Sequence, residues 1–162
     1  MTNDAPPSGD PDHADVAIHP PILWVLLIAV GLGVNYLIPL AFLPPHMPVQ
    51  WLGAAIWLLG FGIALIAVLQ FRQARTDVQV HTPTSAIVQT GLYGRSRNPI
   101  YVGGHIGLAG VAVGFNSLWV LLGLVPFYLV IRHGVIAPEE AYLERKFGAT
   151  YLDYKKRVRR WL

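Results

Sequence analysis

Cysteine is absent from this chain of 162 residues, so disulfides, thiolate metal sites and cysteine nucleophiles are excluded. Charge is also scarce, because only 13% of the residues are charged whereas 54% are hydrophobic. No charged side chain occurs from residue 16 to residue 71, or from residue 98 to residue 131. A membrane crossing takes about 20 apolar residues, so each stretch is long enough for two. The composition therefore indicates an integral membrane protein.

Several familiar sequence signals are missing as well. The six histidines form no HxxxH or HxxE pair, which argues against a metal site. No Walker motif, GxGxxG motif or serine nucleophile elbow is present. Lys and Arg are confined to residues 72–162, and their distribution fits membrane orientation better than a face that binds nucleic acid. The sequence therefore predicts neither a metal nor a nucleic acid as partner.

What is present is a series of apolar runs separated by turn residues. They predict four membrane-spanning helices, at about 22–43, 49–71, 99–114 and 118–131 or a little beyond. Pro39 would kink or end the first helix, and Pro126 would bend the fourth. The short turn at Asn116-Ser117 makes the third and fourth helices a hairpin. Residues 1–18, rich in Pro and Asp, predict a disordered tail, and residues 19–162 form the membrane domain.

The character of the sequence changes after Pro138. Residues 139–158 mix charged and aromatic side chains at steps of three and four, which predicts an amphipathic helix interrupted at Gly148. The turns at 44–48 and 114–117 lack Lys and Arg, whereas the connector 72–97 and the C-terminal region hold nearly all of them. By the positive-inside rule both termini are cytoplasmic. The predicted fold is an all-α polytopic membrane protein with about four transmembrane helices and a cytoplasmic amphipathic C-terminal helix.

The stretch from Gly91 to Tyr101 concentrates polar groups at the predicted membrane surface. Two arginines, a tyrosine and an amide precede a helix that begins near Pro99, and a second tyrosine lies in its first turn. A helix start carries unpaired N–H groups and partial positive charge, which suit an anionic or polar ligand. Snorkelling arginines and interfacial tyrosines in a simple turn explain the same pattern. Local chemistry leaves both interpretations open.

The acidic pair Glu139-Glu140 follows Pro138 and also has two interpretations. Carboxylates stabilise the first turn of a helix through its dipole. Alternatively, one of them receives the hydroxyl or ammonium groups of a ligand, or pairs with Arg95 or Arg97.

Polar residues near the predicted helices are further candidates. His105 lies one helical turn beyond Tyr101 on the same face of the predicted third helix. A polar residue inside a membrane helix either has a function or makes an interhelical hydrogen bond. Arg132 and His133 lie at the end of the fourth predicted helix. A cation there stabilises the C-terminal end of the helix dipole, or alternatively contacts a substrate. From the residues alone no reaction is named.

The order of the motifs carries a resemblance. They are Gly91-Leu92-Tyr93, Arg97-Asn98-Pro99-Ile100-Tyr101, a hairpin turning at Asn116, Glu139-Glu140, Leu143, Phe147-Gly148, Tyr151, Tyr154 and the basic end 155–160. This set resembles the isoprenylcysteine carboxyl methyltransferase family, particularly its small bacterial members, and is similar to membrane phospholipid methyltransferases. The resemblance covers about residues 70–162, and the first two predicted helices match only in character.

The resemblance implies S-adenosyl-L-methionine as cofactor, bound by the C-terminal half (about 72–162) without a Rossmann domain. It implies a lipophilic or lipidated acceptor reached from the lipid of a bacterial inner membrane. The residues implied at the cofactor are Val88 (in a covering segment, 85–88), Tyr93, Asn98, Pro99, Tyr101, Glu139 and Glu140. The candidate catalytic residues, which would face the acceptor, are Arg132 and His133.

Two departures from the family pattern concern the acceptor. Asn98 stands where the eukaryotic pattern has His, and Val135 lies near the place of an arginine that would hold an acceptor carboxylate. Both argue against a prenylcysteine carboxylate. Two other functions stay open: a membrane reductase of the sterol-reductase type using NADPH, whose C-terminal region has a similar segment, and a non-enzymatic membrane scaffold. The short chain argues against the reductase.

Overall fold

A computed structural model describes residues 19–73 and 87–162. Within these ranges the chain is helical and contains no β-strand, as predicted. A 3-10 turn at Gly91–Gly94 precedes the third helix, and a π-helical turn at Ile131–Ile136 joins the fifth helix to the sixth. The predicted tail, 1–18, lies outside the described residues. The helices are α1 (Pro20–Leu37), α2 (Val49–Gln73), α3 (Pro99–Gly114), α4 (Leu118–Leu122), α5 (Leu124–Val130), α6 (Ala137–Phe147) and α7 (Ala149–Arg157).

In residues 19–73 and 87–162, three continuous helical stretches are long and apolar enough to cross a membrane. They are Pro20–Leu37, Val49–Gln73 and Leu118–Phe147, the last of which runs from α4 through α6. Helix α3 is apolar but shorter, with 16 residues. The helices therefore indicate an integral membrane protein with three candidate spans.

Helix α1 ends earlier than predicted, at Leu37 instead of residue 43. The cause is Pro39, because a proline ring disfavours helical geometry in the residue before it. Ile38 accordingly has an extended φ of −134°. The helix boundary therefore lies just before the proline.

The segment after α1 is held by the predicted hairpin turn at Asn116. The Asn116 Oδ1 atom accepts hydrogen bonds from the backbone N–H groups of Phe42 (3.1 Å) and Leu43 (2.9 Å). Its Nδ2 atom donates to the Leu43 carbonyl at 2.9 Å. Asn116 has a φ of +46°, a conformation that asparagine tolerates better than most residues. One side chain thus joins the α3–α4 turn to the segment that connects α1 with α2.

Helices α2 and α3 form the most extensive helix contact among the described residues, and glycines make it possible. A Cβ atom at Gly60 would lie 2.4 Å from the backbone nitrogen of Gly107. A Cβ atom at Gly110 would lie 2.5 Å from the backbone nitrogen of Trp57. These glycines therefore allow the two backbones to approach as closely as small residues do in other membrane helix pairs.

We expect Gly110→Ala to lower the stability of the helix pair by about 1–3 kcal/mol, because the backbone of Trp57 must shift to admit the methyl group. Thermal unfolding in detergent micelles measures the effect. The matched control is Gly62→Ala in α2, where a new Cβ atom meets nothing within 4 Å. That change should be neutral or stabilise the helix by up to about 1 kcal/mol. Equal losses of stability in the two variants would contradict the packing argument.

Pro126 explains a break in the helix that the sequence predicts as the fourth. Helix α4 ends at Leu122, four residues before the proline, and α5 begins at Leu124. A proline ring clashes with the carbonyl four residues earlier and cannot donate to it. The ring of Pro126 therefore accounts for the break at Gly123, and the bend stays a prediction.

Pro138 lies in the first turn of α6, where the sequence predicts a helix start, but α6 continues from α5 without a gap. A π-helical turn precedes it, in which the Ala137 N–H donates to the carbonyl of Arg132, five residues back. Such a turn contains one extra residue, which rotates the helix beyond it by about 100°. Glu140, four residues after the buried Ile136, consequently faces the interior. The wide turn thus carries the helix past Pro138 and sets the direction of the acidic pair.

Helices α6 and α7 meet at Gly148, the predicted interruption, which has a φ of +50°. Beyond it, Tyr151, Tyr154 and Val158 form a small buried cluster with Phe147. The C-terminal helices therefore have an apolar face that packs inward.

Candidate functional site

Tyr93 lies in the 3-10 turn before α3 and is buried against the end of α2. Its ring meets the ring of Phe71 edge to face, with centroids 4.7 Å apart. Val88 and Ala67 complete this cluster, so two of the predicted cofactor residues, Val88 and Tyr93, lie together. Residues 85 and 86 of the predicted covering segment lie outside the described part of the chain.

Each carboxylate oxygen of Glu140 forms an ion pair with a different arginine, and we call the three residues the Glu140 clamp (Arg97, Glu140 and Arg160). Its Oε1 atom is 2.8 Å from Nη2 of Arg97, and its Oε2 atom is 2.6 Å from Nη2 of Arg160. The side chains of Arg97 and Glu140 are only 8% and 7% exposed. Arg97 Nη1 also donates to the carbonyls of Lys155 (3.1 Å) and Val158 (2.6 Å). The clamp therefore joins three parts of the chain, and it includes the predicted pairing of the acidic pair with Arg97.

Asn98 reinforces the same junction. Its Nδ2 atom donates to the carbonyl of Arg160 at 3.0 Å, and its backbone N–H donates to Ser96 Oγ at 3.1 Å. The backbone N–H of Arg97 donates to the carbonyl of Arg159 at 2.9 Å. The buried Pro99 then begins α3. Asn98 therefore fixes the C-terminal segment beside the start of α3.

Glu139 has a different environment from its neighbour. Its Oε2 atom is buried and has no hydrogen-bond partner within the described ranges. The Tyr93 hydroxyl is also buried without a partner in that part of the chain. Glu139 lies within electrostatic range of the Tyr93 and Tyr101 hydroxyls, and we call these three side chains the Glu139 group.

The phenols near Glu139 are hydrogen-bond donors. Burial, and to a lesser extent the charge of Glu139, raises the pKa of Tyr93 well above its usual value, so the hydroxyl keeps its proton. Burial likewise raises the pKa of Tyr154 to about 12, and its hydroxyl donates to the Tyr93 carbonyl at 2.7 Å. The Glu139 group thus offers one unsatisfied acceptor and one unsatisfied donor. Buried polar atoms are nearly always paired, so such atoms mark a place for a polar ligand.

The two candidate catalytic residues lie in the π-helical turn. Arg132 Nη1 donates to the Tyr128 hydroxyl at 2.6 Å, and its guanidinium lies 5.8 Å from the centre of that ring. His133 is exposed. The structure therefore groups Tyr93, Tyr101 and Glu139, whereas Arg132 is oriented by Tyr128.

An aromatic cluster surrounds His105 on α3. Its ring centroid is 4.6 Å from that of Phe127, 5.3 Å from that of Trp161 and 6.1 Å from that of Tyr128. Beside this cluster is a groove of ≈ 440 Å³ between α3 and α5. It is lined by His105, Ile106, Ala109, Leu124, Val125, Tyr128 and Leu129.

Sequence reasoning missed the roles of Arg160 and Trp161. Arg160 belongs to a basic run, which is usually solvated, and Trp161 directly follows that run. The neighbouring sequence does not indicate either role. Arg160 lies 20 residues from Glu140, and Trp161 contacts His105 only in the folded chain. Within the described ranges, no group of three His, Asp or Glu side chains is arranged to hold a metal ion.

Comparison with known proteins completes the description of the site. An uncharacterized protein of Haemophilus influenzae is 58% identical over 48 residues, which cover 29% of this chain and 73% of that protein. The model of the phospholipid methyltransferase family matches residues 48–150, a range that contains the Glu139 group. Because this match takes in more than half of the chain, the protein belongs to the phospholipid methyltransferase family, in agreement with the resemblance found in its sequence.

Proposed function

We propose that the protein transfers a methyl group from S-adenosyl-L-methionine to a lipophilic acceptor at the cytoplasmic face of a bacterial inner membrane. The observation that carries this proposal is the Glu139 group. One carboxylate oxygen and one phenol of this group have no partner among the residues that the structure describes, and the chain is of a methyltransferase family. Enzymes of this family generally use this cofactor.

The chemistry of the Glu139 group fits the cofactor. S-adenosyl-L-methionine carries an ammonium group and ribose hydroxyls, which are donors for the Oε2 atom of Glu139. It also carries a carboxylate and ring nitrogens, which accept from the Tyr93 hydroxyl. The faces of Tyr93 and Tyr101 suit its positive charge. In this proposal Val88 and Pro99 supply apolar walls.

The Glu140 clamp and Asn98 have a supporting part in the proposed site. Both Glu140 oxygens are already engaged by arginines, and the Asn98 amide holds the C-terminal segment. They therefore position the backbone around the cofactor. Since Glu140 directly follows Glu139, the clamp also fixes where the unpaired carboxylate lies.

When bound, the cofactor would supply a methyl group carried on a sulfonium sulfur. That sulfur is a good leaving group, so the methyl group is readily transferred. The residues of the chain contribute proximity, because they hold that methyl group in line with the acceptor and keep water away. Arg132, oriented by Tyr128, and His133 are the candidates for contact with a polar part of the acceptor.

We also propose that α3 is a fourth crossing and that both termini are cytoplasmic. At about 1.5 Å per residue α3 is roughly 24 Å long, which fits a thin or locally thinned bilayer. The Glu140 clamp supports a common side for the segment before α3 and the C-terminus, because Arg97 and Arg160 meet on one carboxylate. The basic residues near both then satisfy the positive-inside rule.

Calorimetry of the purified protein in detergent tests the proposal. We expect S-adenosylhomocysteine, the cofactor product, to bind with measurable heat and NADPH not to bind. We also expect the protein to transfer a labelled methyl group from S-adenosyl-L-methionine to a component of bacterial lipid extract. Binding of NADPH alone would favour the reductase, and the absence of both binding and methyl transfer would favour a scaffold.

A further inference from the structure

The Tyr93 hydroxyl makes no hydrogen bond that would fix its position. It is buried, and it has no partner within residues 19–73 and 87–162. The ring packs against Phe71, Val88 and Ala67. An unpaired hydroxyl lies where its ring and its backbone place it. The position of this phenol oxygen therefore depends on what holds the 3-10 turn at Gly91–Gly94.

Gln70, in the last turn of α2, holds the beginning of this 3-10 turn. Its Oε1 atom accepts a hydrogen bond from the backbone N–H of Leu92 at 3.1 Å. Its amide lies directly against Gly91, where an added Cβ atom would collide with it. Gly91 has a φ of +61°, a conformation that glycine adopts without strain. The lack of a side chain at Gly91 thus lets the Gln70 amide reach the backbone of the turn.

Tyr154 holds the same turn from the opposite end of the chain, on α7. Its buried hydroxyl donates to the Tyr93 carbonyl at 2.7 Å. The Tyr93 N–H donates to the carbonyl of Thr90 at 3.1 Å. Both backbone polar groups of Tyr93 are therefore bonded, and Gln70 secures the residue before it. Side chains from α2 and α7 thus fix the backbone on both sides of the phenol.

We propose that Gln70 and Tyr154 are positioning residues, which hold the Tyr93 phenol where it donates to a polar group of S-adenosyl-L-methionine. This role rests on the proposed cofactor site. Neither residue touches the cofactor, because each acts through the backbone of the turn. A donor that is already in place loses less conformational freedom when a ligand binds, so the ligand binds more tightly. Cofactor affinity then depends on α2 as well as on the C-terminal half of the chain.

Titration calorimetry with S-adenosylhomocysteine tests each contact. Gln70→Leu removes the acceptor for the Leu92 N–H, and Tyr154→Phe removes only the hydroxyl that reaches Tyr93. Each should weaken binding by no more than Tyr93→Phe does, which is roughly three- to tenfold for one neutral hydrogen bond. Gln70→Glu keeps an acceptor oxygen and should retain most of the affinity. The matched control is Gln73→Leu at the exposed end of α2, which should bind like the parent protein.

Double variants separate positioning from general support of the fold. In a Tyr93→Phe background no phenol remains to be placed, so Gln70→Leu or Tyr154→Phe should cost no further affinity. Losses that simply add in the double variants would show independent, structural effects and overturn the positioning role. Full affinity in both single variants, or in Tyr93→Phe, would also overturn it and leave the proposed methyl transfer intact. Failure of the unaltered protein to bind S-adenosylhomocysteine would instead overturn the proposed function itself.

Discussion

Glu140→Gln should lower the free energy of unfolding by about 3–5 kcal/mol, which is the usual effect of removing one partner from a buried ion pair. The substitution leaves the guanidinium of Arg97, 8% exposed, without a counter-charge. It also weakens the hold on Arg160, and with it the attachment of the C-terminal segment. Chemical unfolding in mild detergent, followed by circular dichroism, measures the loss.

Glu144→Gln is the matched control, since Glu144 lies one turn further along α6. Its ion pair with Lys155 joins side chains that are 34% and 37% exposed. Exposed pairs contribute about 0–1 kcal/mol, so this variant should be nearly as stable as the parent protein. A loss of the same size in both variants would show that the Glu140 clamp has no special part in stability.

The helical architecture was predictable because its signals are local. Apolar runs gave α2 and α3 nearly to the residue, and the conformational preferences of Asn116 and Gly148 marked the turns where the structure has them. The end of α1 was placed six residues too late, although Pro39 carried the correct signal. Local chemistry therefore determines most helix boundaries in this chain.

The different environments of Glu139 and Glu140 were not predictable from the sequence. Their direction depends on the π-helical turn at Ile131–Ile136, whose extra residue rotates α6. The sequence around Pro138 suggested a helix start, so no wide turn was expected. The partners of Glu140 come from 43 and 20 residues away. Only the packed structure reveals that both Glu140 oxygens are paired, whereas the Glu139 Oε2 atom has no partner in the described part of the chain.

Glu139→Gln should weaken binding of S-adenosylhomocysteine by roughly ten- to hundredfold. A hydrogen bond to a charged group contributes about 1.5–3 kcal/mol, and about 1.4 kcal/mol corresponds to a factor of ten. The stability of the protein should stay the same or rise, because the substitution removes a buried carboxylate whose Oε2 atom has no partner within the described ranges. Titration calorimetry and chemical unfolding on the same preparation measure both quantities.

The comparison of neighbouring variants makes this prediction specific. Glu140→Gln should reduce stability strongly, Glu139→Gln should reduce cofactor affinity with little change in stability, and Glu144→Gln should do neither. The reason is geometric: two arginines occupy the Glu140 oxygens, whereas the Glu139 carboxylate belongs to the group with Tyr93 and Tyr101. Unchanged affinity in Glu139→Gln would refute its contact with the cofactor. A fall in affinity that merely follows a fall in stability would give Glu139 the same structural part as its neighbour.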